Sequence, residues 1–531
     1  MTEPATKAGV LGERHVVIVG AGVGGLVSAL LLANKGIRVT LLEMANAPGG
    51  KMRQIMVGGL PIDSGPTVFT MKWVFENIFN QVGRSLDEVL CLQPLDILAR
   101  HAWRADHCQL DLYSDVERSA QAIAEFSSPA EAQRFLGFCK KAAEVYHCLE
   151  GPYIRSSRPS LLNMASDLGA RGLGTLASLG PFASLWQALG SHFKDPRLQQ
   201  LFGRYATYCG ASPWLAPATL MLVAHVELDG VWSVQGGMHA LACALAQQAQ
   251  QLGASIKYAS PCRRILVRDG RTCGVELMHG ETIAADAVIF NGDIGALAQG
   301  LLGEDVRASV PDFKRSRRSL SALTWSVNTR TSGFPLVRHN VFFDNDYARE
   351  FKDIFEHQRL PKQATVYVCA QDRNDSGCQP ADSERLLCLV NAPALGDQKT
   401  FNSMEIEPCQ EQSQKLMRQC GLDIDLSAAH MSITTPTDFN RLFPGTGGAL
   451  YGTASHGWMT PFQRPSSLSR LPGLYLAGGS VHPGPGVPMA ALSGQLAAET
   501  LMAHLDSTKP LRRVRISGGM STPSAMTAVM R

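Results

Sequence analysis

The run from Gly20 to Gly25, GAGVGG, set directly behind the apolar stretch His15–Val19, constrains this chain more than any other feature. An apolar strand that breaks into a glycine-rich turn and re-enters a helix presents free backbone N–H groups where a pyrophosphate can sit. Gly20 allows the tight turn, Gly22 lets backbone approach the phosphates, and Gly25 lets the helix predicted over 26–35 lie close to its strand. A second predicted strand, 39–42, ends in Glu43, at the spacing where a carboxylate meets ribose hydroxyls. The same carboxylate repels a 2′-phosphate, which speaks against NADP. A glycine triplet alone also fits an unliganded turn, and it is the order strand, turn, helix, strand, acid that favours phosphate binding.

With 531 residues, 45% of them hydrophobic, the chain suffices for two or three domains at about 150 residues each. A net charge of +3 leaves no electrostatic footprint for nucleic acid. The 13 cysteines lie scattered without CxxC pairs or metal-ligand spacing. No signal-peptide pattern precedes the first strand. Free thiols, no metal site and a cytoplasmic setting are therefore expected. No run reaches roughly 18 apolar residues, so no spanning helix is expected.

Beyond Glu43, Ala47-Pro-Gly-Gly-Lys51, Arg53 and Leu60-Pro-Ile-Asp-Ser-Gly-Pro66 read as a loop and short strands where a nucleotide-only domain would enter its next helix. Gly49 and Gly50 bring backbone close to a ligand, with Lys51 or Arg53 placed to meet its phosphates; the alternative is a hairpin with solvated cations. From Trp73 to about Asp229 the pattern reads as largely helical, clearest over 130–149, with breaks near Pro152, Pro159 and Pro213. Within it, 172–193 carries no charge, and Leu173, Leu176, Phe182, Leu185, Trp186, Leu189 and Phe193 recur at three- or four-residue steps. A helix on a membrane surface or along an apolar tunnel competes there with ordinary core packing.

A second α/β segment follows. Gln235-Gly-Gly-Met238 leads into a helix over 239–251, then strands over 254–258 and 263–267, and 274–277 with 282–290 read as a small sheet ending in the strand 287–290. An irregular stretch runs from Ile294 to about His456 and includes the basic cluster Lys314, Arg315, Arg317 and Arg318, read as solvated surface or a contact for anionic lipid. The third return is a strand over 473–477, a turn over 478–488 and a helix over 489–504, whose N-terminus suits a negatively polarised ligand atom such as the edge of a reduced flavin. Residues from Ser507 onward, with Arg512, Arg513 and Arg515, read as a disordered tail. The expected organisation is an α/β chain whose Rossmann-like cofactor-binding fold is assembled from 1–70, 231–295 and 456–506. A helical substrate and membrane-docking part at 71–230 and a second substrate part at 296–455 interleave with it, and 507–531 is the tail.

These returns, from about Arg14 to Leu505, resemble the bacterial carotenoid desaturases of the phytoene-desaturase type, within the FAD-dependent amine-oxidase-like superfamily. The resemblance is carried by GAGVGG with Glu43, PGGK followed by IDSGPT, the pair Gly236-Gly237, and above all LYLAGGSVHPGPGVP. Lys51, Gln235, Ser480 and Met489 depart from the commonest family pattern and point to a branch other than phytoene desaturase itself. GPTVFTMKWVFENIF, SALTWSVN and YGTASHGWMTPFQRPSSL look most like the branch that acts on hydroxylated acyclic carotenoids in purple phototrophic bacteria.

The resemblance implies an FAD-binding fold of the glutathione-reductase type with an interleaved α+β substrate domain. It implies FAD contacts from Gly20, Ala21, Gly22, Gly25, Glu43, Gly50, Lys51, Gly65, Ile265, Gly478, Gly479, Val487 and Pro488. The implied reaction introduces a C-3,4 double bond into an acyclic 1-hydroxycarotenoid such as 1-hydroxyneurosporene, with oxygen or a membrane quinone as electron acceptor. A carotenoid substrate further implies peripheral association with the inner or intracytoplasmic membrane. His482 is the candidate proton acceptor, against the reading of a histidine bonded to backbone beside the cofactor. Other carotenoid desaturases, ketolases and isomerases, a flavin amine oxidase, and a non-catalytic lipid carrier share the fold and stand as alternatives.

Overall fold

The computed structural model describes residues 14–104, 108–157, 172, 174–176, 179–180, 182–373, 380, 382–426 and 429–506. The expected tail from Ser507, the break at Pro159 and Leu173 of the charge-free segment lie outside the described residues.

Two sheets organise the chain. The first is built from β1 (His15–Val19), β2 (Arg38–Leu42), β5 (Ser255–Lys257), β6 (Ala287–Phe290) and β12 (Leu474–Leu476), in the order β12-β6-β1-β2-β5, every pair parallel. Its central strands are continuous apolar runs because helices cover both faces. Helix α1 (Val23–Asn34) is buried over 23–33, so it shows no polar face. It packs against α4 (His239–Gln251) and α6 (Val487–Asp506), where the Ser28 hydroxyl donates to Gly494 O at 2.8 Å. The chain thus leaves this sheet after β2 and returns to it through β5 and β6 and again through β12.

The second sheet has seven strands. These are β3 (Ile97–Trp103), β4 (Cys108–Tyr113), β7 (Ser321–Thr329), β8 (His339–Phe343), β9 (Val366–Ala370), β10 (Glu384–Ala392) and β11 (His430–Thr434), in the order β11-β7-β10-β9-β8-β3-β4. It corrects two expectations. The region after Trp73 is not simply helical, since Leu92–Pro94, β3 and β4 interrupt it, and β3 pairs parallel with the distant β8. The stretch after Ile294 is not irregular either, because it supplies five of the seven strands. β7 is buried almost throughout and β10 except at Arg385, Leu389 and Asn391, and neither carries the hydrophobic alternation by which a half-exposed strand is read.

Two smaller corrections follow. The strand 287–290 belongs to the parallel sheet, between β1 and β12, and not to the antiparallel sheet of Cys262–Arg268, Arg271–Leu277 and Thr282–Ala284. Arg318 is not solvated. It is buried in a two-pronged ion pair with Asp397, at 2.6 and 2.8 Å, and donates to Ala394 O. In the charge-free segment, Leu185, Leu189 and Phe193 on and after α3 (Leu185–His192) are buried, and the Phe193 ring lies 5.2 Å from Phe138 and 5.0 Å from Phe202. Core packing describes that face, while Phe182 is exposed.

Candidate functional site

A single cavity of about 800 Å³ runs between the two sheets. It begins at the carboxyl ends of β1, β2 and β6, where the strand order reverses, which is the crevice open α/β sheets offer to ligands. There the lining is mostly backbone. Gly20 N–H donates to Leu42 O at 2.7 Å, and Asn291 N–H to Val19 O at 2.8 Å. The Asn291 side-chain amide reaches back to Gly20 O at 3.0 Å. A Cβ on Gly22 or Gly24 would lie 2.9 or 2.7 Å from the Asn291 side chain. Gly25 stands behind the turn, where a Cβ would meet Gly20 O at 2.1 Å, so the helix–strand approach itself demands glycine.

Glu43 is buried at this end, accepting N–H from Ala21 at 2.7 Å and from Ala45 at 2.8 Å. Burial pushes its pKa up, and those N–H groups oppose the shift. Gly50 and Gly65 also line the cavity; Gly50 has a positive φ of 57°, and a Cβ on Gly65 would sit 1.8 Å from Lys51 O. Lys51 lines it too, but its Nζ donates to Leu450 O at 2.6 Å. Burial pulls its pKa down, and the nearby Asp293 carboxylate counters this. Arg53 turns away to Thr434 and the Phe439 ring and is absent from the lining.

The third return closes the same cavity. Gly478, Gly479, Val487 and Pro488 line it, Gly478 N–H donates to Ser493 Oγ at 3.0 Å, and Ser480 Oγ accepts from Ile294 N–H at 3.2 Å. The last bond gives the departure at Ser480 a role in joining the second and third returns. Ala21, like Gly25, lies just off the lining, and two further expected residues stand elsewhere. Ile265 is fully buried in the strand Cys262–Arg268 and does not line the cavity, which Ser260, Pro261 and Cys262 do. His482 is buried behind the closing turn, edge-on to the Tyr153 ring at 4.9 Å, with Nε2 donating to Ser156 O at 2.8 Å. Burial lowers its pKa to about 4, so it is neutral at pH 7 and off the cavity wall.

Beyond Pro66 and Thr67 the cavity passes under the seven-stranded sheet, and its lining becomes side chain. Leu387 and Leu389 of β10, Thr324 of β7 and Tyr367 of β9 form the floor, with Phe439, Phe443 and Tyr451 at the side. Arg204 and Tyr208 enter from the short helix Arg204–Cys209, the Arg204 guanidinium carbon lying 5.4 Å from the Tyr208 ring centre and 5.5 Å from that of Tyr367. Behind them Glu227 accepts from Tyr208 at 2.9 Å and from Tyr205. Sequence reasoning missed these residues. No hydrophobic alternation in 384–392 marks Leu387, Leu389 and Asn391, and nothing local marks Arg204. Among the described residues no cluster suited to a metal ion occurs and every cysteine is free.

The sequence pattern of flavin-containing amine oxidoreductases matches residues 23–502. A hydroxyneurosporene desaturase of Rubrivivax gelatinosus is 64% identical over 520 residues, covering 98% of this chain and 99% of its own. A second, from Cereibacter sphaeroides, is 44% identical, covering 93% of this chain and 98% of its own. The crystal structure of an oxidoreductase from Methanosarcina mazei superimposes with a TM-score of 0.57 at 16% identity, over 92% of this chain and 100% of that one, a likeness of fold alone.

Proposed function

The chain belongs to the flavin-containing amine oxidoreductase family, and on that premise we propose that it is an FAD-dependent carotenoid desaturase, introducing a C-3,4 double bond into an acyclic 1-hydroxycarotenoid. The observation that carries this reading is the continuity of one cavity, from a glycine-built turn at a helix N-terminus to a floor of leucine and aromatic side chains. The near full-length identity with hydroxyneurosporene desaturases supports the substrate class.

The residues present fit FAD. The positions where a Cβ would intrude are glycines, which leaves backbone N–H groups at the start of α1 for a pyrophosphate, and Glu43 has the chemistry to accept ribose hydroxyls. Gly50, Lys51 and Gly65 would flank the middle of the cofactor, and Gly478, Gly479, Val487 and Pro488 would hold its ring edge at the N-terminus of α6. When bound, an oxidised flavin would accept the hydride that no side chain can take, and the second hydrogen would leave as a proton to water or a base. The chain's own residues would supply position and dryness: Leu387, Leu389 and the aromatic side chains form an apolar floor suited to a hydrocarbon chain and to excluding water. The electron acceptor of the proposed reaction is oxygen or a membrane quinone.

An apolar substrate of this kind loses roughly 0.8 kcal/mol per methylene-sized group on entering water, so transfer directly from a bilayer is favoured. None of the described helices is long and apolar enough to cross a membrane. Peripheral docking is supported instead by Phe182, Leu215 and Trp458, exposed by 77%, 51% and 43%. The rings of Phe182 and Trp458 lie 5.9 Å apart, and Leu215 O accepts from the neighbouring Gly457 N–H.

The test is expression in cells that accumulate 1-hydroxyneurosporene, neurosporene or phytoene. The hydroxylated carotenoid alone is expected to shift to longer wavelength. Conversion of phytoene without conversion of the hydroxylated substrate overturns the reading.

A further inference from the structure

The cavity floor changes character along its length. Cross-strand registers place Ser326, Leu387 and Cys369 in one row, Thr324, Leu389 and Tyr367 in the next, and Ala322 with Asn391 in a third. The first row lies beside the nucleotide end, where Ser326 Oγ meets Ser64 Oγ at 2.7 Å, and the third is four residues further along the strands, about 13 Å away. Polar groups gather at that far row. Asn391 donates its amide to Glu350 at 2.8 Å, and Glu350, buried on α5 (Tyr347–Phe355), also accepts Thr365 N–H at 2.9 Å. With its nitrogen committed, Asn391 keeps its carbonyl oxygen as an acceptor.

Tyr347 opens α5 and lines the cavity, yet is only 7% exposed. Phe351, Trp214 and Trp186 fix its ring, at centre-to-centre distances of 5.1, 5.6 and 6.1 Å. Gly203, next to Arg204, packs on the same ring, where a Cβ would lie 3.6 Å from Tyr347 Cε1. The Tyr347 hydroxyl itself has no hydrogen-bond partner among the described residues. A buried, unpartnered phenol costs stability, and the cost is recovered when a ligand supplies the missing bond.

We propose that Tyr347, with Asn391 and Arg204 beside it, forms the subsite that holds the terminal tertiary hydroxyl of the substrate. The proposal rests on the reading of the chain as a desaturase of 1-hydroxycarotenoids. Tyr347 and Arg204 donate to the hydroxyl oxygen, and the Asn391 carbonyl accepts its proton. A hydrocarbon terminus in the same place leaves these groups unpaired, which makes the pocket selective by exclusion. Anchoring the hydroxyl also fixes the register of the chain, so that the bond two carbons away is oxidised once and the polyene does not slide on to a second bond.

The experiment uses the full-length flavin-loaded protein and two substrates, 1-hydroxyneurosporene and 1,2-dihydroneurosporene, which differ by that oxygen. The readout is the ratio of their kcat/KM values. Tyr347→Phe is expected to lower the preference for the hydroxylated substrate roughly tenfold with flavin absorbance retained. Thr324→Val, which removes another unpartnered buried hydroxyl one row nearer the nucleotide end, serves as the comparison and is expected to shift the ratio far less. An unchanged ratio in Tyr347→Phe, or an equal or larger shift in Thr324→Val, overturns the subsite. A wild-type protein inert to both substrates but active on phytoene overturns the underlying functional reading, a different result from either.

Discussion

The two ends of the cavity are built by opposite means. At the parallel sheet the wall is main chain, and the side chains that matter are the ones missing: Gly22, Gly24 and Gly25 each face atoms within 3 Å of where a Cβ would stand. Under the seven-stranded sheet the wall is side chain, with Leu387, Leu389, Tyr347 and Arg204 projecting from strands, a helix start and a 3₁₀ turn. A wall of backbone admits one shape of ligand and tolerates little change. A wall of side chains can be re-cut residue by residue while the framework stays, so cofactor binding and substrate choice are separable properties here.

The sharpest way to break that contrast is Gly25→Val. With a Cβ forced to 2.1 Å from Gly20 O, the protein is expected to purify without flavin absorbance, or not to accumulate at all. A yellow, stable Gly25→Val protein would show that the main-chain wall is no more exacting than the other. A second, smaller effect concerns the closing turn, which His482 ties to Ser156 of the intervening region. Its imidazole stays neutral in the fold down to about pH 4, while the unfolded chain takes up that proton near 6.5. The stability it permits is therefore complete above pH 6.5 and is lost as pH falls toward 4, by about 3 kcal/mol at most. Denaturant titrations at pH 7 and 4.5 are expected to show a shallower acid loss in His482→Asn than in the wild type. Identical losses would assign the pH dependence to other groups. The smallest effect is Leu389→Gln, which places an amide on the apolar floor. Desaturation is expected to fall roughly tenfold with the flavin spectrum intact, and loss of flavin in this variant would show that the two walls are not independent.

The same contrast explains what could be read in advance. The glycine turn, Glu43, the helix over 239–251 and the closing turn are local statements, each written in consecutive residues, and they located one end of the cavity. The floor is a statement about pairing. Strand β3 finds its neighbour β8 far along the chain, and β7 and β10 lack the alternation that would announce them. Arg318 read as solvated because Asp397, its partner, lies in another segment of the chain. Arg204 read as nothing in particular, since a lone arginine in a short 3₁₀ turn carries no periodic signature. Ile265 was placed near the cofactor by family pattern, but its side chain serves the core.

Asn291 gives these observations a historical edge. Its carboxamide sits against the positions where Gly22, Gly24, Gly25 and Gly478 would carry a methyl group, and its backbone carbonyl against that of Gly20. Gly24 also faces Ala490 O and Gly25 faces Gly20 O, while Gly20 and Gly478 hold a positive φ, so a smaller residue at 291 leaves those four positions closed. Gly22, with a negative φ and only that carboxamide within reach, is the one position of the five that a smaller residue at 291 would open, so descendants of this chain should exchange Gly22 only where Asn291 has also changed.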